Sequence, residues 1–125
     1  MILVDTTVWI GHLRSTHPNL TQLLLGQQVL VHPFVLGELA VGTLKDRGTV
    51  LSMLQDLPSA PRAQDWEIID FIQLQRLHGR GLSFVDAHLL ASVMLASHAR
   101  LWTDDRRLHD VATEFGIGYQ GVDGG

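Results

Sequence analysis

The chain has 125 residues, 46% hydrophobic and 18% charged, with a formal net charge of −4 when its seven histidines are neutral. That length predicts one compact domain spanning 1–125 with a core large enough to need no staples. The absence of cysteine excludes disulfides and thiolate metal sites, and the acidic total argues against a protein that coats nucleic acid by charge alone.

The opening MILVDTTVWI carries an acid at its centre and no basic flank, so it does not read as a signal peptide. Its apolar run Ile2–Val4 predicts a short buried strand, ended by Asp5 and the turn-forming Thr6 and Thr7, then a helix through Trp9, Ile10 and Leu13. A second helix is expected from Leu20 to Leu25, stopped by Gly26. Residues 29–31 repeat the strand signature, and Pro33 suits the first turn of a helix carrying Val35, Leu36, Leu39, Ala40 and Leu44.

Helical spacing continues in Val50, Leu51 and Leu54 up to Pro58 and Pro61. A longer amphipathic helix is predicted from about Ala63 to Leu77, with the glycine-containing segment 78–81 as its stop. The next helix holds Asp86 and runs to about His98, and its apolar stretch 89–96 is too short to span a membrane. A last strand, Arg100 to Thr103, leads into a final helix and a turn at Gly116–Gly118, with a short edge strand expected at Tyr119–Val122 and a frayed end after it. Short apolar strands alternating with helices predict an α/β fold, three layers deep with a central, mostly parallel sheet. The expected setting is a soluble protein of the cytoplasm.

Four acidic positions stand out against this pattern. Asp5 ends the first strand, Asp104 and Asp105 follow the last one, Asp86 opens an apolar helix, and Glu38 lies among Val35, Leu36, Leu39, Ala40 and Val41. In an open parallel sheet, sites form beyond the carboxyl ends of the strands. Each acid also has a structural reading. Asp5 suits an N-cap, Ser83-x-x-Asp86 has the form of a capping box, and Asp104 or Asp105 suits the cap of the last helix. Together they are harder to explain that way, because two like charges about 4 Å apart repel by about 4 kcal/mol at an effective dielectric near 20. Hard oxygen ligands without cysteine favour Mg²⁺ or Mn²⁺ as the cation that offsets such repulsion.

The segments ILVDTTVWI, GELAVG at 37–42, LSFVDAHLLAS at 82–92 and LWTDDRRL at 101–108 resemble, in order and spacing, the PIN-domain ribonucleases, most closely the VapC-type toxins of bacterial toxin–antitoxin pairs. The resemblance covers nearly the whole chain. It implies a three-layer PIN-like fold and a Mg²⁺- or Mn²⁺-dependent endoribonuclease. Asp5, Glu38 and Asp86 match the family's three firm acids. The fourth falls in Thr103-Asp104-Asp105, where Asp105 is the aligned acid and Asp104 the variable position. Asp5 and Asp86 are then the expected direct metal ligands, with Glu38 and Asp105 completing the shell directly or through water.

Thr6, Thr103 and Arg106 are the expected substrate contacts, with Arg107 beside Arg106 as a second phosphate clamp and Arg76 and Arg80 on weaker grounds; solvated or strand-end roles explain these residues about as well. The positive charge comes from eight arginines and the single Lys45, which suits bidentate phosphate contacts, although a GC-rich genome gives the same bias. The histidines show no i,i+4 pair and read as mostly surface residues, His88 being a remote substrate contact. The resemblance further implies an RNA substrate, a cognate antitoxin protein, and a homodimer or toxin–antitoxin hetero-oligomer, to which apolar residues such as Trp9, Ile10, Leu25 and Leu39 are available. The competing function is a non-catalytic α/β binding module of the same fold. A phosphotransfer receiver lacks its late lysine here, and a haloacid-dehalogenase-like phosphatase lacks its second aspartate, since position 7 is Thr7.

Overall fold

A computed structural model describes residues 1–121. Three strands, β1 (Ile2–Val4), β2 (Val29–Leu30) and β3 (Arg100–Trp102), form a wholly parallel sheet in the order β2-β1-β3. The central β1 is buried along its whole length, which is why it reads as Ile-Leu-Val with no polar alternation. Leu3 pairs with Leu30 on one side and Leu101 on the other. Isolated parallel bridges, Val31 to Ser59 and Leu101 to Gly118, widen the sheet at both edges.

Seven helices complete the three layers among the described residues: α1 (Thr6–Arg14), α2 (Pro18–Leu25), α3 (Pro33–Val41), α4 (Arg47–Gln55), α5 (Asp65–Leu74), α6 (Phe84–Leu95) and α7 (Arg106–Glu114). α3 packs on α1 and α4, α5 packs on α6, and α6 and α7 pack against β3. α6 is the most enclosed, with every residue from Ala87 to Val93 buried. None of these helices is long and apolar enough to cross a membrane.

Several boundaries differ from expectation for local reasons. α2 starts at Pro18, two residues before Leu20, because His17 caps it, its Nδ1 accepting from the Asn19 amide at 3.2 Å. α3 stops at Val41 and leaves Leu44 outside, with Gly42 as its cap. α5 is shorter than 63–77 because Arg76 turns left-handed (φ 55°) and the Leu77 amide returns to the Ile72 carbonyl at 2.9 Å, tucking Leu77 into the core. α6 ends at Leu95, short of His98. The edge strand expected at Tyr119–Val122 is reduced to the bridge at Gly118; Tyr119–Gly121 are not strand, and Val122 lies outside the described residues.

The apolar residues set aside as interface candidates divide. Trp9 and Leu39 belong to the core, whereas Ile10 and Leu25 are exposed. The reading of the histidines as surface residues fails at two positions. His32 and His88 are fully buried. His32 is held because its Nδ1 caps α3, accepting from the Phe34 amide at 3.0 Å. His88 bonds through Nε2 to Asp65 at 3.0 Å, tying α6 to α5, and this burial removes it as a substrate contact.

Candidate active site

The sheet order puts the changeover in strand direction of travel beside β1, and the carboxyl ends of β1 and β3 lie next to each other there. Asp5 follows β1 directly. Its amide donates to the Trp102 carbonyl at 2.9 Å, which locks the end of β1 to the end of β3. Its side chain is buried and accepts three hydrogen bonds: Oδ1 from the Thr6 amide at 2.8 Å, and Oδ2 from the Thr103 hydroxyl at 2.7 Å and the Thr7 hydroxyl at 3.0 Å.

The two hydroxyls are themselves oriented by backbone. The Asp104 amide donates to Thr7 Oγ1 at 3.1 Å, and the Asp105 amide donates to Thr103 Oγ1 at 3.0 Å. An N–H can only donate, so each threonine oxygen accepts from its amide and turns its own proton toward Asp5. Thr7 was outside the expected site. The doubled threonine after Asp5 was the signal available for it, but the partner 97 residues away in the chain is invisible to local pattern.

Asp86 sits at the third position of α6. The capping box is formed: Ser83 Oγ accepts from the Asp86 amide at 3.0 Å, and Asp86 Oδ2 accepts from the Ser83 amide at 2.9 Å. The cap is therefore real, and it leaves Asp86 half-buried beside other carboxylates. Burial pushes its carboxyl above the ordinary carboxylate value; the Ser83 hydrogen bonds pull it back, and the charges of Asp5 and Asp105 push it further up. Of the Asp104–Asp105 pair, Asp105 is thus the one whose charge acts on Asp86. Asp105 also caps α7, its Oδ1 accepting from the Leu108 amide at 3.2 Å.

Glu38 projects from α3 and is exposed, so its apolar sequence neighbours do not enclose it. Its Oε1 accepts from the Thr6 hydroxyl at 2.6 Å, which links it to the start of α1. Thr6 and Thr103, both expected at substrate, are thus engaged with carboxylates. Arg106 opens α7 in an exposed position, while Arg80 pairs with Glu114 and Arg107 lies across Gly81, where a Cβ would come within 2.6 Å of its side chain. Arg76 is exposed.

The donor type at the strand ends, carboxylate oxygen, is the type that hard divalent cations take. Asp86 is partly desolvated and the charges of Asp5 and Asp105 oppose its ionisation, and all three side chains offer only oxygen. Among the described residues, no three His, Asp or Glu side chains lie close enough together to hold a metal ion. What the arrangement provides is an excess of negative charge at the strand ends, with hydroxyls and amides fixing one of its members.

The PIN domain family model matches residues 2–114. Ribonuclease VapC32, from two strains of Mycobacterium tuberculosis, is 46% identical to the chain over 117 residues, covering 94% of each sequence. The match spans every element from β1 to α7 and all the acids at the strand ends, so the chain belongs to the PIN-domain family, as a relative of its VapC-type ribonucleases.

Proposed function

We propose that the protein is a metal-dependent endoribonuclease that acts as the toxin of a toxin–antitoxin pair. The observation that supports this reading is the state of Asp86 beside the strand ends, where burial and then the charges of Asp5 and Asp105 raise its carboxyl pKa, a cost that a bound cation would offset. The relative's name, Ribonuclease VapC32, supports RNA as the substrate.

Asp5, Asp86 and Asp105 are the residues that would hold Mg²⁺ or Mn²⁺, with Glu38 completing the set and Asp104 beside it. When bound, such an ion supplies a water of lowered pKa and offsets charge on the phosphate under attack. The chain's own residues do the positioning. Thr7 and Thr103 present Asp5 with its Oδ2 fully engaged, Ser83 fixes the rotamer of Asp86, and Thr6 restrains Glu38. Arg106, exposed at the start of α7, would take an RNA phosphate.

An apolar groove of about 480 Å³ runs from Glu38 past Ile10, Leu13 and Leu44 to Lys45. It supports a protein partner, the cognate antitoxin, reaching the site. The exposed Trp66 and Ile69 on α5 give a second apolar face for a homodimer or hetero-oligomer.

The test is cleavage of structured RNA by metal-stripped protein, with and without added Mg²⁺ or Mn²⁺, alongside Asp86→Asn. Cleavage is expected only with metal, and the substitution is expected to reduce it by at least about a hundredfold, or ~2.7 kcal/mol of transition-state stabilisation. Cleavage that ignores the chelator, or that survives Asp86→Asn unchanged, overturns the proposal. Folded protein that cuts no RNA under either metal favours the non-catalytic binding module, with Asp86 serving as a helix cap.

A further inference from the structure

A second concave feature adjoins the carboxylates, and its aromatic part has no role in the scheme above. It is a pocket of about 270 Å³ whose lining includes Trp102, Tyr119, His17 and Gln120, and which shares Thr103 and Asp104 with the acidic site. Its size lies just below the lower end of small-molecule pockets, about 300 Å³, and suits one planar ring system better than an extended ligand.

The pocket is built by the chain after α7. The Leu101 amide donates to the Ile117 carbonyl and the Tyr119 amide to the Leu101 carbonyl, both at 2.8 Å, which lays 117–119 along β3. That path brings the Tyr119 ring to 5.2 Å from the Trp102 indole, tilted by 54°. The Tyr119 hydroxyl accepts from Asn19 Nδ2 at 2.9 Å, so the half-buried ring is pinned in place. His17 stands edge-on to the other part of Trp102, 5.0 Å away. Gly121 closes against the indole so tightly that a Cβ would lie 2.9 Å from Trp102 Cζ2.

The rim is polar. Gln120 and His109 meet at 3.3 Å, and Arg106 stands on the same rim at the start of α7. Fixed aromatic walls with amide, imidazole and guanidinium groups at the mouth are the chemistry that takes an unpaired base and the phosphate beside it.

We propose that this pocket binds one unpaired nucleobase of the RNA strand, in the nucleotide next to the scissile phosphodiester. The base stacks on Tyr119, Gln120 and His109 meet its edge, and Arg106 takes its phosphate. The shared wall of Thr103, which donates to Asp5 at 2.7 Å, makes the base pocket and the carboxylates neighbouring parts of one substrate path. The inference rests on the ribonuclease reading for its choice of ligand.

The experiment is an NMR titration of the full chain in chelator with the 5′-monophosphates of adenosine, guanosine, cytidine and uridine, and separately with ribose 5-phosphate. The Trp102 indole N–H and the amides of 117–121 report on the pocket. Nucleotides are expected to bind there at least about tenfold more tightly than ribose 5-phosphate, the scale of one base–aromatic stack. Tyr119→Leu is expected to erase that advantage and Tyr119→Phe to keep it. Equal binding of ribose 5-phosphate and nucleotides by the wild-type protein, or base-dependent shifts that avoid these probes, overturns the inference without needing a variant to fold. RNA cleavage measured in parallel separates the two readings. Cleavage without base-dependent shifts removes the pocket and keeps the ribonuclease; base-dependent shifts without any metal-dependent cleavage do the reverse.

Discussion

Single residues in this protein carry structural and chemical duties at once, and the acids show it most plainly. Asp5 and Asp105 are N-caps and Asp86 closes a capping box, yet the charges of Asp5 and Asp105 also act on Asp86. A cap needs only one oxygen near an amide; Asp86 caps through Oδ2 and Asp105 through Oδ1, whereas both oxygens of Asp5 accept hydrogen bonds. His32 shows the opposite case, a buried side chain whose charge the fold excludes. Its Nδ1 accepts from Phe34, so the proton of the neutral ring sits on Nε2, which is buried without a partner. Burial, then the neighbouring His88 and Arg62, lower its pKa from the ordinary 6.5 to about 4. The folded state therefore binds fewer protons than the unfolded chain between those values. Its contribution to stability is complete above pH 6.5 and is lost as pH falls toward 4, by about 3 kcal/mol in all. Urea unfolding at pH 7 and pH 4 measures this loss. His32→Asn, which retains a cap acceptor, is expected to make the acid-side decline shallower by that amount; an unchanged pH dependence would show that His32 is not its source.

Among the elements, the joint between β1 and β3 matters most, because it turns two strand ends into a site. Thr103 forms that joint by donating to Asp5 and accepting from the Asp105 amide, so it connects the end of β1 to the start of α7. Thr103→Val keeps the shape and removes both bonds. It is expected to destabilise the protein by about 1–3 kcal/mol in urea unfolding, since it leaves a buried acceptor and an amide short of a partner. Thr103→Ser is expected to recover most of that, and equal losses for valine and serine would assign the effect to packing instead. The strands and helices were largely readable because their signals are local: the unbroken Ile2–Val4 run, Pro33 at a helix start, the apolar stretch after Asp86. The resemblance to PIN-domain ribonucleases rested on segments of the same kind. What escaped is non-local. The burial of His32 and His88 follows from how α3, α5 and α6 meet, and the Thr7–Asp104 and Thr103–Asp5 bonds join residues almost a chain length apart. The end of α5 escaped for another reason, since Arg76 adopts a left-handed turn that its side chain does not announce.

For the whole molecule, the raised carboxyl pKa of Asp86 makes stability depend on pH. Asp5, near the start of the chain, and Asp105, near its end, both act on Asp86, so their charges oppose its ionisation in the folded state. Asp86 sets the sign. Its folded pKa lies above the ordinary 3.8, because burial and then the charges of Asp5 and Asp105 outweigh the Ser83 bonds. A raised carboxyl pKa means that the folded state holds its proton longer than the unfolded chain. The penalty is absent below pH 3.8 and grows as pH rises through the folded value, leaving the metal-free protein at its full cost near neutrality. A divalent ion that binds the folded state and not the unfolded chain reverses this, by about 2.7 kcal/mol at a hundred times its dissociation constant. Thermal unfolding at pH 7.5 is therefore expected to shift upward with Mg²⁺ or Mn²⁺ in the wild-type protein. Asp86→Asn keeps an oxygen for the Ser83 cap and removes the charge, so it is expected to melt at or above the metal-free wild type and to gain little from either ion. A variant that melts lower without metal, yet still responds fully to it, would place the cation elsewhere and reduce Asp86 to its cap.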